Sequence, residues 1–492
     1  MRKVVIVGSG LGGLSTALRL SKFPFEITFI EKHSTPGGRL NQLKLNGYTF
    51  DIGPSFMSMT YELEELFSTT EVENKLKLTS LDPLYSVFFE WHKKPFRIYK
   101  DLKKLQEEFN GIESNLEEKV KKFLNKAGQF FHDTESHVIR TNFRSKFDYL
   151  LKLTKVPKKH IPYLFKSVWS EVSRTFESQE LRIIFSLVAF FLGSTPFKTP
   201  AIYTLLNYTE MRHNGYWNIE GGMYKLVEFI VEELKRRNVK FIYNTEIIDF
   251  HSKNSKVQAL IDRNGNEYPA DYFVINSDAA FFRGKVLRNK RFDEKKLDKM
   301  DWTMAPFTIY LGLKTKLTNL DHHNYFLGSN FEGYASKIFT SSISPQKPYY
   351  YVNVLSKFNP ECAPVDGESV FILCPVPDLR FKPDWSDREE LAQSILLDLS
   401  TRIGIEIEKF IDVKVIYDPI DWQNMFNLYR GSGLGLAHGL NQVGALRPQN
   451  KDKFYKNVYY VGASTIPGTG LPIVIISSKL VLERMIEDGL IR

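Results

Sequence analysis

Apolar residues run unbroken through Val4, Val5, Ile6 and Val7, a pattern that predicts a parallel strand covered on both faces. The period then changes. Leu14, Ala17, Leu18 and Leu20 recur at helical spacing, so residues 8–13 join a strand to a helix. A second apolar strand is predicted over Glu26–Ile30 and a short helix over Tyr61–Phe67. Residues 84–92 and 96–100 read as alternating strands, and Leu102–Phe109 and Leu116–Phe131 as amphipathic helices. The run 183–193, IIFSLVAFFLG, predicts a helix that is buried or lines a pocket. Residues 215–234 place Gly221 and Gly222 before an amphipathic helix, and Lys240–Tyr243 reads as a strand. A hairpin is predicted for Val257–Asp262 and Asn266–Ala270 around Asn264-Gly265, with a returning strand at 272–281. Residues 307–314, 349–355, 369–377 and 413–419 predict a second sheet, interrupted by a helix over Arg388–Ile403. The chain closes on a buried strand, Val458–Val461, and an apolar helix, Ile473–Met485.

The strand-to-helix joint carries chemistry. Gly8, Gly10 and Gly13 form G-x-G-x-x-G: the first allows a tight turn, the second lets backbone approach a pyrophosphate, the third lets helix pack on strand. Ser9, Leu11 and Gly12 complete a loop that would hold the anion on the helix N-terminus. Glu31 ends the second strand 18 residues after Gly13, where a carboxylate takes a ribose hydroxyl. A glycine turn without a ligand is the alternative. Asn276 and Ser277 fall at the carboxyl end of the returning strand, where ligands of open α/β sheets gather. Gly468, Gly470 and Pro472 lead into the last helix, whose dipole would face a negative ligand edge.

Composition refines this reading. The 492 residues suffice for two or three domains, and 43% hydrophobic with 25% charged residues is globular. The 38 Phe and 24 Tyr supply large apolar walls, either core or a pocket for a long apolar ligand. The net charge of +9 suits a polyanion or an anionic membrane, and no nucleic-acid module is visible. Between Arg140 and Arg182, ten Lys/Arg face four Asp/Glu among interleaved aromatic and Leu side chains. That mixture suits a membrane interface; an ordinary solvated helical face is the alternative. The strand at the start leaves no room for a signal peptide, and no apolar run spans a bilayer, which predicts a cytoplasmic protein, peripheral on the inner face of the membrane. Cys362 and Cys374 are too few for a disulfide framework, and no His/Cys/carboxylate spacing predicts a metal site. His322 and His323 would point in different directions in any regular element.

Lys32–Arg39 reads KHSTPGGR and Tyr48–Pro54 reads YTFDIGP. With the first segment, these resemble the flavoproteins with two dinucleotide-binding domains, which hold FAD in extended form. The resemblance implies that Gly37, Gly38 and Arg39 bring backbone and a guanidinium to the diphosphate and flavin edge, with Lys32 nearby. A solvated loop charge is the alternative for Arg39. It implies that Pro54, Ser55 and Phe56 run beside the isoalloxazine and that Ile247 meets adenine through its backbone. Gly462, Gly470, Leu471, Pro472 and Ile473 would form the flavin loop.

VVIVGSGLGGLSTALRL, EKHSTPGGR, GYTFDIGPSF and VGASTIPGTGLPIVIISSK together resemble the bacterial phytoene desaturase family of FAD-dependent carotenoid desaturases and isomerases. The motif-bearing ends cover about a third of the chain. The implied fold class is α/β at the ends and α+β overall: a Rossmann-like FAD-binding domain (1–75, 215–284, 426–492), a mixed-sheet substrate domain (76–139, 285–425) and a helical, membrane-associating region (140–214). The family's last motif often has Gly, His and Gly where this chain has Ser464, Ile466 and Ile473. That departure is more similar to the branch that introduces the 3,4 double bond into 1-hydroxylated acyclic carotenoids. The implied reaction passes hydride to flavin N5 and releases a proton, the cofactor doing the hard step. No catalytic residue is assigned: Asp51, Glu220 and Asp278 lie near cofactor segments, and each reads equally as a cap or loop hydrogen-bonder. Amine-oxidase-like or protoporphyrinogen-oxidase-like flavoenzymes are the rival enzymes, and a flavin-free binder of prenylated proteins the rival binder.

Overall fold

The structure, a computed structural model, describes residues 1–491. The apolar runs pair side by side. β1 (Arg2–Val7) lies parallel between β2 (Phe25–Ile30) and β13 (Tyr272–Ile275), while β9 (Lys240–Ile242) extends the sheet beyond β2 and β19 (Val458–Tyr460) beyond β13. Register aligns Val7 with both Ile30 and Ile275, so Gly8, Glu31 and Asn276 leave the sheet together at its carboxyl edge. Val4, Ile6 and Phe29 pack under the Leu11–Leu20, Tyr224–Arg236 and Leu471–Glu487 helices. Val5, Val7, Ile30 and Phe273 meet the other cover, a small sheet of β10 (Ile247–Lys253), β11 (Lys256–Asp262) and β12 (Glu267–Pro269). Both faces being covered is why β1 shows no polar break.

The second sheet has seven strands in the order β18-β14-β17-β16-β15-β6-β7. These are β6 (Tyr85–Phe89), β7 (Phe96–Ile98), β14 (Ala305–Leu313), β15 (His323–Leu327), β16 (Tyr350–Val354), β17 (Glu368–Val376) and β18 (Ile411–Tyr417). Only β6 and β15 pair in parallel. β6 is not a half-exposed alternating strand: all five residues are buried, with Tyr85, Val87 and Phe89 against the helical layer and Phe88 stacked on Phe326 behind. The β3 (Asn41–Leu45) and β4 (Tyr48–Ile52) hairpin runs from the cofactor loop to this sheet, where Tyr48 and Phe50 pack on Tyr310 and Phe371. A two-stranded ladder of β5 (Leu78–Ser80) and β8 (Trp217–Ile219) lies between.

Three further expectations need correction. The 183–193 helix breaks at Leu187 into Gln179–Ser186 and Val188–Phe191. The last helix begins earlier, at Leu471, because Pro472 fits the first turn, where its missing N–H costs nothing. The basic aromatic stretch 140–182 is not one interfacial face: Phe143 is buried, and Tyr163 and Trp169 pack on Phe130 and Phe331, while Phe147, Leu150, Leu151, Ile161 and Phe165 stand exposed. Among the described residues, no helix is long and apolar enough to cross a membrane.

Candidate cofactor site and aromatic chamber

The glycine turn is organised around Asn276. A Cβ on Gly10 would stand 2.9 Å from Asn276 Nδ2; one on Gly12 or Gly462 would stand 2.6 or 3.1 Å from Oδ1. Asn276 Nδ2 donates to Gly8 O at 3.2 Å, so the amide ties the end of β13 to the turn after β1. Sequence reasoning placed Asn276 at the sheet edge but did not assign it this role, which needs the spatial convergence of three segments.

Several features fit a dinucleotide. The Leu11–Leu20 and Leu471–Glu487 helices both start at a glycine, with no side-chain cap and no acid in the first turn, leaving N–H groups free for an anion. Ser277 Oγ is buried without a hydrogen-bond partner. Glu31 Oε2 accepts from Ser9 N and Ser9 Oγ, both at 2.7 Å, and Oε1 from His33 N at 2.9 Å. The carboxylate is thereby fixed, with lone pairs left for hydroxyls. Ile247 is buried against Val5 and Ile30 beside this end. Lys32 turns elsewhere, its Nζ donating to Asn424 O at 2.7 Å and Asn427 Oδ1 at 3.2 Å.

Arg39 and Asp278 sit close to one another. Arg39 Nη1 donates to Gly433 O at 2.7 Å; burial lowers its pKa, and Asp278 partly restores it. Both are only partly exposed. Asp278 accepts from Ala280 N and Phe281 N at 3.0 Å, a cap on the following turn. Asp51 caps likewise, accepting from Met223 N at 2.9 Å, and burial pushes its pKa up to about 7. Glu220 is exposed beside Lys77.

The brace behind the 463–470 loop had no sequence signal. Arg447 is 1% exposed and donates only to carbonyls: Thr465 O (3.0 Å), Ala437 O (3.1 Å), Gln442 O (3.3 Å), Leu436 O (3.0 Å) and Ala463 O (2.7 Å). Burial lowers its pKa to about 10. It fastens loop 436–442 to loop 463–465. From the first loop, His438 Nε2 accepts from Thr469 N at 3.3 Å. Burial, helped by Arg447, brings His438 down to about 3, so it is neutral.

Farther along the chain, the 54–56 segment packs into a cluster of aromatic rings. Ser55 Oγ and Tyr351 Oη lie 2.8 Å apart, and Tyr351 Oη lies 2.6 Å from His323 Nδ1. Phe56 stacks on His323 at 4.0 Å and meets the Tyr216 and Tyr351 rings at 4.7 and 5.2 Å. Tyr325 joins this cluster, its ring 6.3 Å from Phe56 and 5.4 Å from Tyr351. Contrary to expectation, His322 and His323 do not diverge: their ring centroids lie 4.4 Å apart and Asn353 Nδ2 is 3.3 Å from both, His322 Nδ1 pairing with Val354 O, and burial holds both below their ordinary pKa, His322 at about 4. β15 escaped sequence reasoning because its polar residues, His323 and Asn324, are buried, Asn324 bonded to Asp321 O and Val352 O and His323 stacked on Phe56 with its Nε2 left unpaired. Among the described residues no cluster of His, Cys, Asp and Glu is placed to hold a metal.

The family model "flavin containing amine oxidoreductase" matches residues 11–486. A zeta-carotene-forming phytoene desaturase of Myxococcus xanthus is 31% identical over 98% of this chain and 94% of its own length. A 1-hydroxycarotenoid 3,4-desaturase of a Flavobacterium strain is 27% identical over 98% of each. An oxidoreductase structure from Methanosarcina mazei superposes with a TM-score of 0.64 at 16% identity, covering 98% of this chain and 100% of that one, a likeness of fold.

Proposed function

The chain belongs to the flavin containing amine oxidoreductases, within them to the carotenoid desaturase family, and is an FAD-dependent oxidoreductase; from that premise we propose that it desaturates an acyclic carotenoid of the phytoene type. The observation that carries the substrate class is the cluster of aromatic rings around Phe56, formed with Tyr216, His323 and Tyr351 directly after the Pro54–Ser55 segment. Phytoene desaturases at 29–31% identity stand above the 1-hydroxycarotenoid enzyme at 27% and support this choice. The 3,4-desaturation of a 1-hydroxycarotenoid is the second reading, favoured by Ser464, Ile466 and Ile473 in the last motif.

Gly8–Gly13 and Glu31 would hold the ADP half; Gly38, Arg39, Pro54, Ser55, Phe56, Asn276, Ser277, Gly462 and Gly470–Ile473 would surround the diphosphate and flavin. Ile247 completes the assignment, with Lys32 contributing backbone alone because its Nζ is tied to Asn424 and Asn427, and the domain limits given above are part of it. When bound, FAD supplies a two-electron acceptor for hydride. The protein's share is to bind, orient and dry the polyene. Tyr216, Tyr325, Tyr351 and Phe56 would hold it by burying apolar area, at about 25 cal/mol per Å² before ordering costs. Neutral His322 and His323 add no charge to this wall.

Incubating FAD-loaded protein with phytoene and with a 1-hydroxycarotenoid tests the reading. A longer-wavelength polyene spectrum and a loss of two hydrogens should appear with phytoene first. Faster turnover of the hydroxylated substrate would move the case to the second reading. Turnover of neither, with an electron acceptor present, would reopen the amine-oxidase-like alternative.

Exposed apolar side chains beside lysines support a further part of the proposal, peripheral attachment to the inner face of an anionic membrane. Phe165 is 82% and Phe147 69% exposed, with Leu150, Leu151 and Ile161 beside them. Lys146, Lys155, Lys158 and Lys159 surround these positions. The protein should float with anionic vesicles, and Phe147→Ser with Phe165→Ser should reduce flotation at low and high salt alike. Wild-type protein that floats at neither salt refutes attachment.

A further inference from the structure

The long helix Leu116–Thr134 buries Val120, Phe123 and Leu124 on one face and carries Asn125, Gly128, Gln129, His132 and Asp133 along another. This second stripe floors a surface cleft of about 370 Å³, closed by Lys159, Tyr208 and Arg212. The volume is that of a small-molecule site. Gly128 makes the cleft's back wall: a Cβ there would stand 2.8 Å from the Tyr208 ring, so glycine lets the ring lie against the helix. Tyr208 Oη lies 2.9 Å from His132 Nε2, and the His213 ring stacks on Tyr208 from the other side.

The polar groups of the cleft are arranged as donors. Arg212 Nη1 donates to Asn125 Oδ1, and Lys159 Nζ to Gln129 Oε1 at 3.3 Å. A guanidinium and an ammonium can only donate, so each amide turns its oxygen to the cation and keeps its NH2 group unspent. Among the described residues, Arg212 has no carboxylate partner. The one carboxylate of the cleft, Asp133, is already engaged by His160 Nε2 at 2.7 Å and by Lys159 Nζ at 3.7 Å. Lys121 and Lys122 stand exposed one turn before Asn125, with Glu118 a turn further away. Two cations and two amide donors around one cavity fit a phosphate ester, whose oxygens match the guanidinium fork.

The surroundings select the source of that phosphate. The chain runs from Lys159 straight into Ile161 and Phe165, both exposed. Tyr163, between them, packs on Phe130, the residue after Gln129, at 4.8 Å, so this apolar segment lies along the same helix as the cleft. Lys126 and Lys166 each stand 5.2 Å from the centre of the Tyr163 ring. A soluble phosphate has no use for an apolar rim; a phospholipid uses both parts. Resting on the membrane-attachment reading, we propose that this cleft binds the phosphate of an anionic phospholipid headgroup. Arg212 and Lys159 clamp the phosphate, the Asn125 and Gln129 amides add donors, and Ile161 and Phe165 meet the acyl boundary.

The test is flotation of the FAD-loaded protein with galactolipid vesicles that carry either phosphatidate or oleate, matched in zeta potential, so that one set alone holds phosphate. Wild type should bind the phosphatidate vesicles about tenfold more tightly. Arg212→Gln with Lys159→Gln should erase that preference. Lys146→Gln with Lys155→Gln, which removes the same charge outside the cleft, should weaken binding to both sets alike and keep the preference. Bound-flavin absorbance and urea midpoints check that each variant is folded. Equal binding of wild type to the two sets overturns the cleft and leaves membrane attachment standing, whereas binding to neither refutes attachment and the cleft with it. A preference that survives in Arg212→Gln with Lys159→Gln also overturns the assignment. Calorimetric titration with inorganic phosphate separates the sources: binding that is lost in the cleft variant, without any vesicle preference in wild type, would give the cleft to a soluble phosphate and overturn the headgroup. Should the cleft variant fail to fold, the wild-type comparison of the two vesicle sets still decides.

Discussion

Replacing Gly12 by alanine sets two effects of opposite sign against each other. Gly12 lies in the first turn of the Leu11–Leu20 helix, where alanine is worth about 1 kcal/mol over glycine. Its Cβ, however, would stand 2.6 Å from Asn276 Oδ1, 3.0 Å from Val474 Cγ1 and 3.2 Å from Val461 Cγ2. These atoms come from three segments that close on the turn, and Asn276 cannot swing away without releasing Gly8 O. Overpacking of this kind costs about 1–3 kcal/mol and the lost hydrogen bond about 1 kcal/mol more. Subtracting the helix gain leaves a net loss of about 1–3 kcal/mol. Gly13→Ala should be harsher, because its Cβ would meet Gly8 O, a backbone atom, at 2.5 Å. Urea unfolding of the apoprotein measures the stability term, and calorimetric titration with FAD measures affinity. We expect both to fall in the order wild type, Gly12→Ala, Gly13→Ala, with FAD weakened about tenfold or more in the first variant. A Gly12→Ala protein that is more stable than wild type and binds FAD unchanged would show that propensity wins and that Asn276 is not the hub of the site.

Glu31→Ala should weaken FAD by about 1–3 kcal/mol, since the carboxylate holds Ser9 and His33 as well as offering lone pairs to a ribose; unchanged affinity removes it from the site. Arg447→Met should loosen the flavin loop and lower stability by several kcal/mol, about 1–3 for each carbonyl left unsatisfied, with Arg447→Lys restoring little because an ammonium cannot reproduce the fork. Protease protection of residues 436–470 that is the same in Arg447→Met as in wild type would contradict the brace. Buried groups predict opposed pH effects. Folded Asp51 binds its proton up to about pH 7, above the ordinary carboxylate range, so its contribution fades as pH rises from about 4 to 7. Folded His438 stays neutral down to about pH 3, below the ordinary histidine value, so its contribution fades as pH falls from about 6.5 to 3. Relative to wild type, Asp51→Asn should therefore gain and His438→Gln lose stability as pH rises through 5–6.5, measured as urea midpoints; slopes of the same sign would refute the assignment.

The nucleotide end of the fold is legible because each of its signals is local. An apolar run, a glycine turn and a helical period follow one another within residues 4–20, and the Arg388–Ile403 helix was likewise read to its limits from period alone. What escaped depends on distant segments meeting. β15 buries its polar residues among aromatic rings, His323 between Phe56 and Tyr351, so they do not mark a solvent face. Arg447 has no acidic partner to betray it as buried; its partners are backbone carbonyls, which every residue has.

The departures in the last motif illustrate the same point. Read singly, Ser464, Ile466 and Ile473 look like three substitutions for Gly, His and Gly. In space, Ile466 and Ile473 belong to one apolar cluster with Ile476 and Leu480, closed from the helical region by Ile139. Losing a polar side chain at 466 and gaining an aliphatic one at 473 are thus one packing change. The imidazole is not lost from the neighbourhood, because His438 reaches Thr469 N from the preceding loop. Ser464 is accommodated in turn by Gly435, where a Cβ would stand 2.6 Å from Ser464 Oγ. Restoring histidine at 466 alone would bury an imidazole among isoleucines while His438 still holds the loop. It should therefore destabilise the protein unless Ile473 is changed with it, and the two changes should be non-additive, because they share one cluster.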